Sequence, residues 1–244
     1  MPEQSQLLLN FPTCPQFDFS NFVISGGSRF AFDAAKKFCS KGETQYQSLF
    51  LFGERNLGKT HLLLSIGNLA AKKGIRALYI KGNDFCDKIG DGESIQSQQI
   101  LKKLMDVDFF LLDDVEVLTS SIPAQEKLYH VYNTVIEKRG KVAFANNFSP
   151  DKIKSAESYL TSRFKWGMLA EIKPIDDNTT AKIIHKLAKD IDLNLSENII
   201  SFLLSRISRD FISIQNAITD LNRESYVQKK KVTLPLVKKV LKIS

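Results

Sequence analysis

Eight consecutive residues constrain this chain more than any others: Gly53 to Thr60, GERNLGKT, fit the spacing G-x-x-x-x-G-K-[ST]. A loop of this kind works in one setting, between an apolar strand and a helix, where backbone amides and the helix dipole converge on an anion. The neighbouring sequence supplies both sides. SLFLF (48–52) reads as the strand, and HLLLSIGNLAAKKG as a helix stopped by Gly74, with lysines at its C-terminal end where the dipole favours them. Gly53 and Gly58 let the backbone wrap phosphate oxygens with Asn56 inside the wrap, Lys59 reaches the terminal phosphates, and Thr60 can hold Mg²⁺. An ordinary glycine turn accounts for neither the lysine nor the strand–helix context.

A phosphate loop needs a carboxylate at the end of a neighbouring strand. FFLLDD offers Asp113 on the metal side and Asp114 beside it, where a base or water-positioning group is wanted. Alone, two aspartates after a strand are a turn or a helix cap; together with the loop they read as the metal aspartate and its catalytic neighbour. Asn146 or Asn147, at the end of KVAFANN, can orient the attacking water. Strand alternation leaves both open, and Asn146 is carried forward as the site residue. His61, His130 and His185 show no ligand spacing and read as packing or surface residues.

The rest of the chain frames this site as α/β. Apolar runs alternate with helical patterns: RALYI (76–80), FFLL (109–112) and KVAFANN (141–147) read as strands, and residues 124–138 as a helix. Strands alternating with helices imply a parallel sheet with right-handed crossovers. After Pro174 the pattern is helical only, over 177–190, 196–207, 211–226 and a last helix capped by Thr233 with Pro235 in its first turn. The expected organisation is an extended N-terminal arm (1–20), a nucleotide-binding α/β domain (21–175) and an all-helical domain (176–244). The formal charge of +7 is largely local, since residues 229–242 carry six lysines and no acid; a solvated helix face explains them better than a nucleic-acid footprint. Three cysteines without metal-ligand spacing argue against a disulfide framework, and no run approaches the about 20 apolar residues a membrane helix needs, so a cytoplasmic location is expected.

LFLFGERNLGKTHLLLSIGN, FFLLDDVEVL, YLTSRFKWGMLAEIKP and, upstream, NFVISGGSRFAFDAAK together resemble the AAA+ module of the bacterial DnaA replication-initiator family, over about residues 21–244. The resemblance implies a P-loop ATPase core followed by a helical lid, ADP or ATP with Mg²⁺ as ligand, and Val23 and Ile24 at the nucleotide. It also implies that Arg163, in TSRF, is an arginine finger acting on a nucleotide held by a neighbouring subunit, which leaves room for a homo-oligomer. A surface ion pair is the plain alternative for that arginine. In the family an arginine near the start of the third lid helix senses the terminal phosphate; SRDFISIQNAITDL puts Ile212 there, with Arg209 one helical turn earlier. The chain is therefore expected to be a weak ATPase at most.

The stretch LNRESYVQKKKVTLPLVKKVLKI is similar to the end of the Hda-type branch of that family, regulators without the initiator's DNA-reading domain, and no such domain is expected here. Regulators of that branch begin with a peptide of the form Q-L-x-L-x-[LF] that docks in the pocket of the DNA polymerase sliding clamp. In QLLLNF, Gln6, Leu7, Leu9 and Phe11 fit it; the glutamine offers donor and acceptor together, and the leucine and aromatic fill an apolar pocket, while a core strand is the plain alternative for the same run. The resemblance thus implies a regulator that binds adenine nucleotide and the clamp and stimulates ATP hydrolysis by DnaA, with DNA contacted only indirectly and no membrane partner. The alternatives are a helicase-loader ATPase of the DnaC or transposition-helper kind, which must cycle its own ATP, and a truncated initiator that binds DNA through its basic end.

Overall fold

The computed structural model describes residues 9–11, 17–40, 46–90 and 94–243. Its centre is a sheet of six strands in the order β1-β3-β4-β5-β2-β6. These are β1 (Leu9–Asn10), β2 (Ser48–Phe52), β3 (Ala77–Lys81), β4 (Phe109–Asp113), β5 (Lys141–Asn146) and β6 (Met168–Glu171). β2 to β6 are parallel, whereas β1 runs antiparallel on the outer edge of β3, with Leu9 opposite Tyr79 and Asn10 opposite Leu78. The continuous apolar run of β4 has its physical reason in this order: it lies between β3 and β5 and is buried along its whole length, so both faces must be apolar.

Helices α1 (Arg29–Phe38), α2 (Lys59–Lys72), α3 (Gly82–Phe85), α4 (Ile95–Met105), α5 (Ile122–Glu137) and α6 (Ser158–Lys165) belong to the sheet. Their starts follow local chemistry. Ser94 and Ser121 cap α4 and α5 by accepting from Ser97 N and Ala124 N, and Pro123 occupies the first turn of α5 where its missing N–H leaves no bond unmade. Phe50, Phe144 and Phe164 meet in the core with ring centroids 5.0 to 6.1 Å apart, which pins α6 to the sheet through Phe164 and Leu160, one turn apart on its buried face.

A second compact unit comprises Lys173–Ser244 with Ser25–Gly27 and Arg55–Leu57. It is built from α7 (Asp177–Asp190), α8 (Glu197–Leu204), α9 (Phe211–Gln228) and α10 (Leu234–Val240). Asp176 and Asp210 cap α7 and α9 by accepting from Thr179 N at 2.8 Å and Ser213 N at 2.9 Å. Among the described residues no helix is long and apolar enough to cross a membrane.

The structure adds elements that periodicity did not supply, α1, α3, α4, α6 and β6, and it makes a short edge strand, β1, within the run also weighed as a core strand. β1 is two residues long, too short to show alternation, and it exists because the edge of β3 presents unpaired backbone groups. Phe11 follows it and lays its ring over α2, so close that a Cβ on Gly67 would lie 2.0 Å from the ring tip. Gln6 and Leu7 of the expected clamp peptide lie outside the described residues.

Candidate nucleotide site

The loop leaves β2 and enters α2 as its spacing requires. Gly58 caps α2 with φ +94°, a conformation that L side chains rarely adopt, and a Cβ there would meet the Phe22 ring at 2.7 Å. Asn56 also takes a left-handed conformation, φ 62°, as the loop turns. Phe22 is fixed by stacking on Phe32 (5.8 Å) and by an edge contact with His61 (5.4 Å). His61 in turn contacts the Asp18 carbonyl at 3.0 Å. The histidine is thus a packing residue, and it braces the segment that carries the half-buried Val23 and Ile24.

Lys59 is 6% exposed, and its Nζ donates to the carbonyls of Gly53 (2.8 Å) and Glu54 (2.6 Å). A buried ammonium that donates to neutral carbonyls of its own loop is poised to take an anion, because phosphate oxygens are the stronger acceptors. Thr60 Oγ1 donates to Asp113 Oδ2 at 2.5 Å, and Tyr79 OH donates to the same oxygen at 3.1 Å, while Asp113 Oδ1 accepts from Asp114 N at 3.0 Å. Asp113 is 2% exposed, and burial pushes its carboxyl above the usual range while the Thr60 hydroxyl pulls it back. Burial likewise raises the Tyr79 phenol, so it stays a donor. These residues suit a magnesium–nucleotide pair: the Thr60 oxygen keeps its lone pairs while its proton points at Asp113, and all the donors around the carboxylate are neutral.

Asp114 is half-buried and left-handed (φ 52°), beginning the short helical turn Val115–Ser120. Asn146 is fully buried; its Oδ1 accepts from Glu116 N at 3.1 Å and its Nδ2 donates to the Phe148 carbonyl at 2.9 Å. Asn147 donates to Glu116 Oε1. Both asparagines that were open as water-orienting residues therefore hold the turn after β4, and Glu116, which sequence reasoning passed over, is what they hold.

Arg163 sits on the α6 face next to buried Phe164. Its Nε donates to Asn133 Oδ1 at 3.1 Å and its Nη2 to Tyr129 OH at 3.4 Å; Tyr129 and Asn133 are one turn apart on α5. The guanidinium carbon lies 5.3 Å from the Tyr129 ring centre and 5.1 Å from that of Trp166, which is 69% exposed. No carboxylate pairs with it among the described contacts, so the surface ion pair weighed for this arginine is not its setting. In the helical unit, Arg209 pairs with Asp177 at 2.7 Å, and Ile212 is 48% exposed near the start of α9.

Residues 14–171 match the bacterial DnaA ATPase domain, well over half of the chain. The chain belongs to the DnaA family. Residues 177–241 match the lid domain of Hda, so a DnaA-type AAA+ core is joined to an Hda-type lid. The chromosomal replication initiator protein DnaA of Wolinella succinogenes is 30% identical over 240 residues, covering 98% of this chain and 54% of that protein; the DnaA of Campylobacter fetus is 29% identical over 229 residues, covering 93% and 52%. The chain spans about half the length of the curated relatives it matches. Among solved structures, domain III of the Thermotoga maritima replication initiation protein DnaA aligns with a TM-score of 0.81 at 29% identity, covering 95% of this chain and 98% of that one. AMPPCP-bound DnaA from Aquifex aeolicus aligns at 0.78 with 28% identity, over 88% and 70%.

Membership makes this an AAA+ fold of the nucleotide-binding replication-initiation family, whose domains bind adenine nucleotides. Of the residues read from the sequence, the structure brings Gly53, Gly58, Lys59, Thr60 and Asp113 together at one end of the parallel sheet. Arg163 lies apart from them, on the α5–α6 seam. Tyr79 was missed. It sits in an unremarkable apolar strand, and only the pairing of β3 with β4 brings its hydroxyl to Asp113.

Proposed function

We propose that this chain is a regulatory member of the DnaA family: it binds adenine nucleotide with Mg²⁺, docks on the DNA polymerase sliding clamp through Gln6, Leu7, Leu9 and Phe11, and stimulates ATP hydrolysis by DnaA. The observation that carries this reading is the Hda-type lid joined to the DnaA-type core. The posture of Arg163 supports it: a guanidinium flanked by two rings, bonded to neutral side chains and with no carboxylate partner among the described residues, keeps its charge available to a neighbour's nucleotide.

In the chain's own site, Lys59 and the loop amides would hold the phosphates, and Thr60 and Asp113 would hold magnesium, which when bound neutralises charge on the phosphate oxygens. On the partner, Arg163 would stabilise the charge that develops as the terminal phosphoryl group departs, an effect supplied in trans that is worth roughly 10³ to 10⁵ in rate. Clamp docking has a structural condition. The Phe11 ring lies over Gly67, and it cannot fill that position and a clamp pocket together, so the arm must leave α2 to bind.

The test measures ADP formed on DnaA per unit time with clamp loaded on DNA. Arg163→Ala is expected to bind nucleotide and clamp yet lose the stimulation, and Arg163→Lys to fail almost as badly, since lysine keeps the charge without the planar fork. Full stimulation by Arg163→Ala refutes the finger. Vigorous hydrolysis by the chain alone favours a helicase-loader ATPase instead, and tight, salt-sensitive DNA binding without clamp favours a truncated initiator.

A further inference from the structure

We propose that Tyr79 is a positioning residue for Asp113, holding its carboxylate in the orientation that receives magnesium. Tyr79 stands opposite Leu111 in the β3–β4 register, and Asp113 lies two residues further along the same face of β4, within reach of a long side chain. The phenol oxygen closes that gap at 3.1 Å, and Tyr79 is only 3% exposed, so the contact is screened from water.

The two hydroxyls on Asp113 Oδ2 differ in what holds them. Thr60 belongs to the loop–helix junction, which must adjust when phosphates arrive and Lys59 leaves the Gly53 and Glu54 carbonyls. Tyr79 belongs to the sheet. Its backbone is paired with β4 opposite Leu111, a pairing that involves neither the phosphate loop nor the arm, so its ring is set before any nucleotide enters. With Asp114 N on Oδ1 and Tyr79 OH on Oδ2, rotation of the carboxylate is fixed from two sides, neither of them part of the phosphate loop. Such outer contacts fix the orientation of a metal-binding group before the metal arrives, and their loss typically lowers metal affinity 10- to 100-fold. A tyrosine placed here only to fill space would do as well without its hydroxyl.

This inference rests on reading Asp113 as the magnesium-side carboxylate, and the experiment separates the two. A fluorescent ADP analogue is titrated into the natural chain, Tyr79→Phe and Asp113→Asn, each with Mg²⁺ and with EDTA. Tyr79→Phe removes one oxygen and keeps the ring packing and strand pairing; the affinity in EDTA reports that the loop is intact. The expected result is an unchanged affinity in EDTA, within about twofold, with the gain on adding Mg²⁺ reduced about tenfold. Asp113→Asn loses the gain altogether. A gain that is intact in Tyr79→Phe but lost in Asp113→Asn overturns the proposal alone. An equal loss with and without Mg²⁺ also overturns it, because tyrosine would then be packing material. Absence of any gain in the natural chain overturns the reading of Asp113 and the proposal with it.

Discussion

Lys59 shows how a single residue is committed before its ligand arrives. Its ammonium is buried and held by two carbonyls, so removing it costs the loop its principal charge while leaving the backbone wrap in place. Lys59→Ala is expected to lower nucleotide affinity by roughly 10²-fold or more, the scale of losing charge-assisted hydrogen bonds to phosphate, with little change in melting temperature; calorimetric titration with ADP measures it. Cys39 is the opposite case, a reactive group made inert. It is fully buried, and burial pushes its thiol up to about 12, so it stays protonated at any ordinary pH. Alkylation of the native protein at pH 8 is expected to mark half-buried Cys86 well before Cys39, as peptide mapping will show.

At the scale of elements, the arm and α6 are held in opposite ways. α6 is anchored by Phe164 in the aromatic core, and Phe164→Ala is expected to cost about 3 to 5 kcal/mol in chemical denaturation, with the Arg163 posture lost along with it. The arm is held by smaller contacts. Phe11 rests on the space that Gly67 leaves, and a methyl there displaces a ring, not a backbone. Gly67→Ala is therefore expected to keep α2 intact, since alanine favours a helix by roughly 0.5–1 kcal/mol, and to release the arm. Protease nicking near residue 11 should rise, and, on the proposed function, clamp affinity should rise with it. Further along, Asp18 pairs with Lys72 at the end of α2, and that hydrogen bond holds the Asp18 carboxyl below its usual range. A depressed carboxylate stabilises the fold above its unfolded value, and that contribution disappears as pH falls through the folded value. Asp18→Asn is expected to cost at most about 1 kcal/mol near neutral pH, since Lys72 is largely exposed, and progressively less as the medium is made acid enough to protonate the folded carboxyl, as melting curves followed from neutral into acid pH will show.

For the whole molecule, the proposed function requires a protein that holds its own nucleotide and works on another. Ile212 stands where the resemblance expects a phosphate-sensing arginine, and Arg209 is occupied by Asp177. Intrinsic turnover is expected to stay well below roughly 1 s⁻¹, the low end for efficient phosphoryl transfer, and Ile212→Arg to raise it, as release of inorganic phosphate will measure. The amino-acid sequence by itself determined the α/β class, the loop between β2 and α2, the aspartate ending β4 and the all-helical pattern after Pro174. Each of these is a local pattern, an apolar run, a spacing or a period, which a few neighbouring residues suffice to write. Boundaries of β2, β4 and α7 were legible to within a residue for the same reason. Only the tertiary structure decided what depends on residues far apart in the chain. The two-residue β1 exists because β3 is an edge, Asn146 and Asn147 turn toward Glu116 because β5 ends beside the turn after β4, and Tyr79 meets Asp113 because parallel pairing sets them two residues apart. Strand register is a property of the whole sheet, and no stretch of a single strand encodes which partner lies beside it.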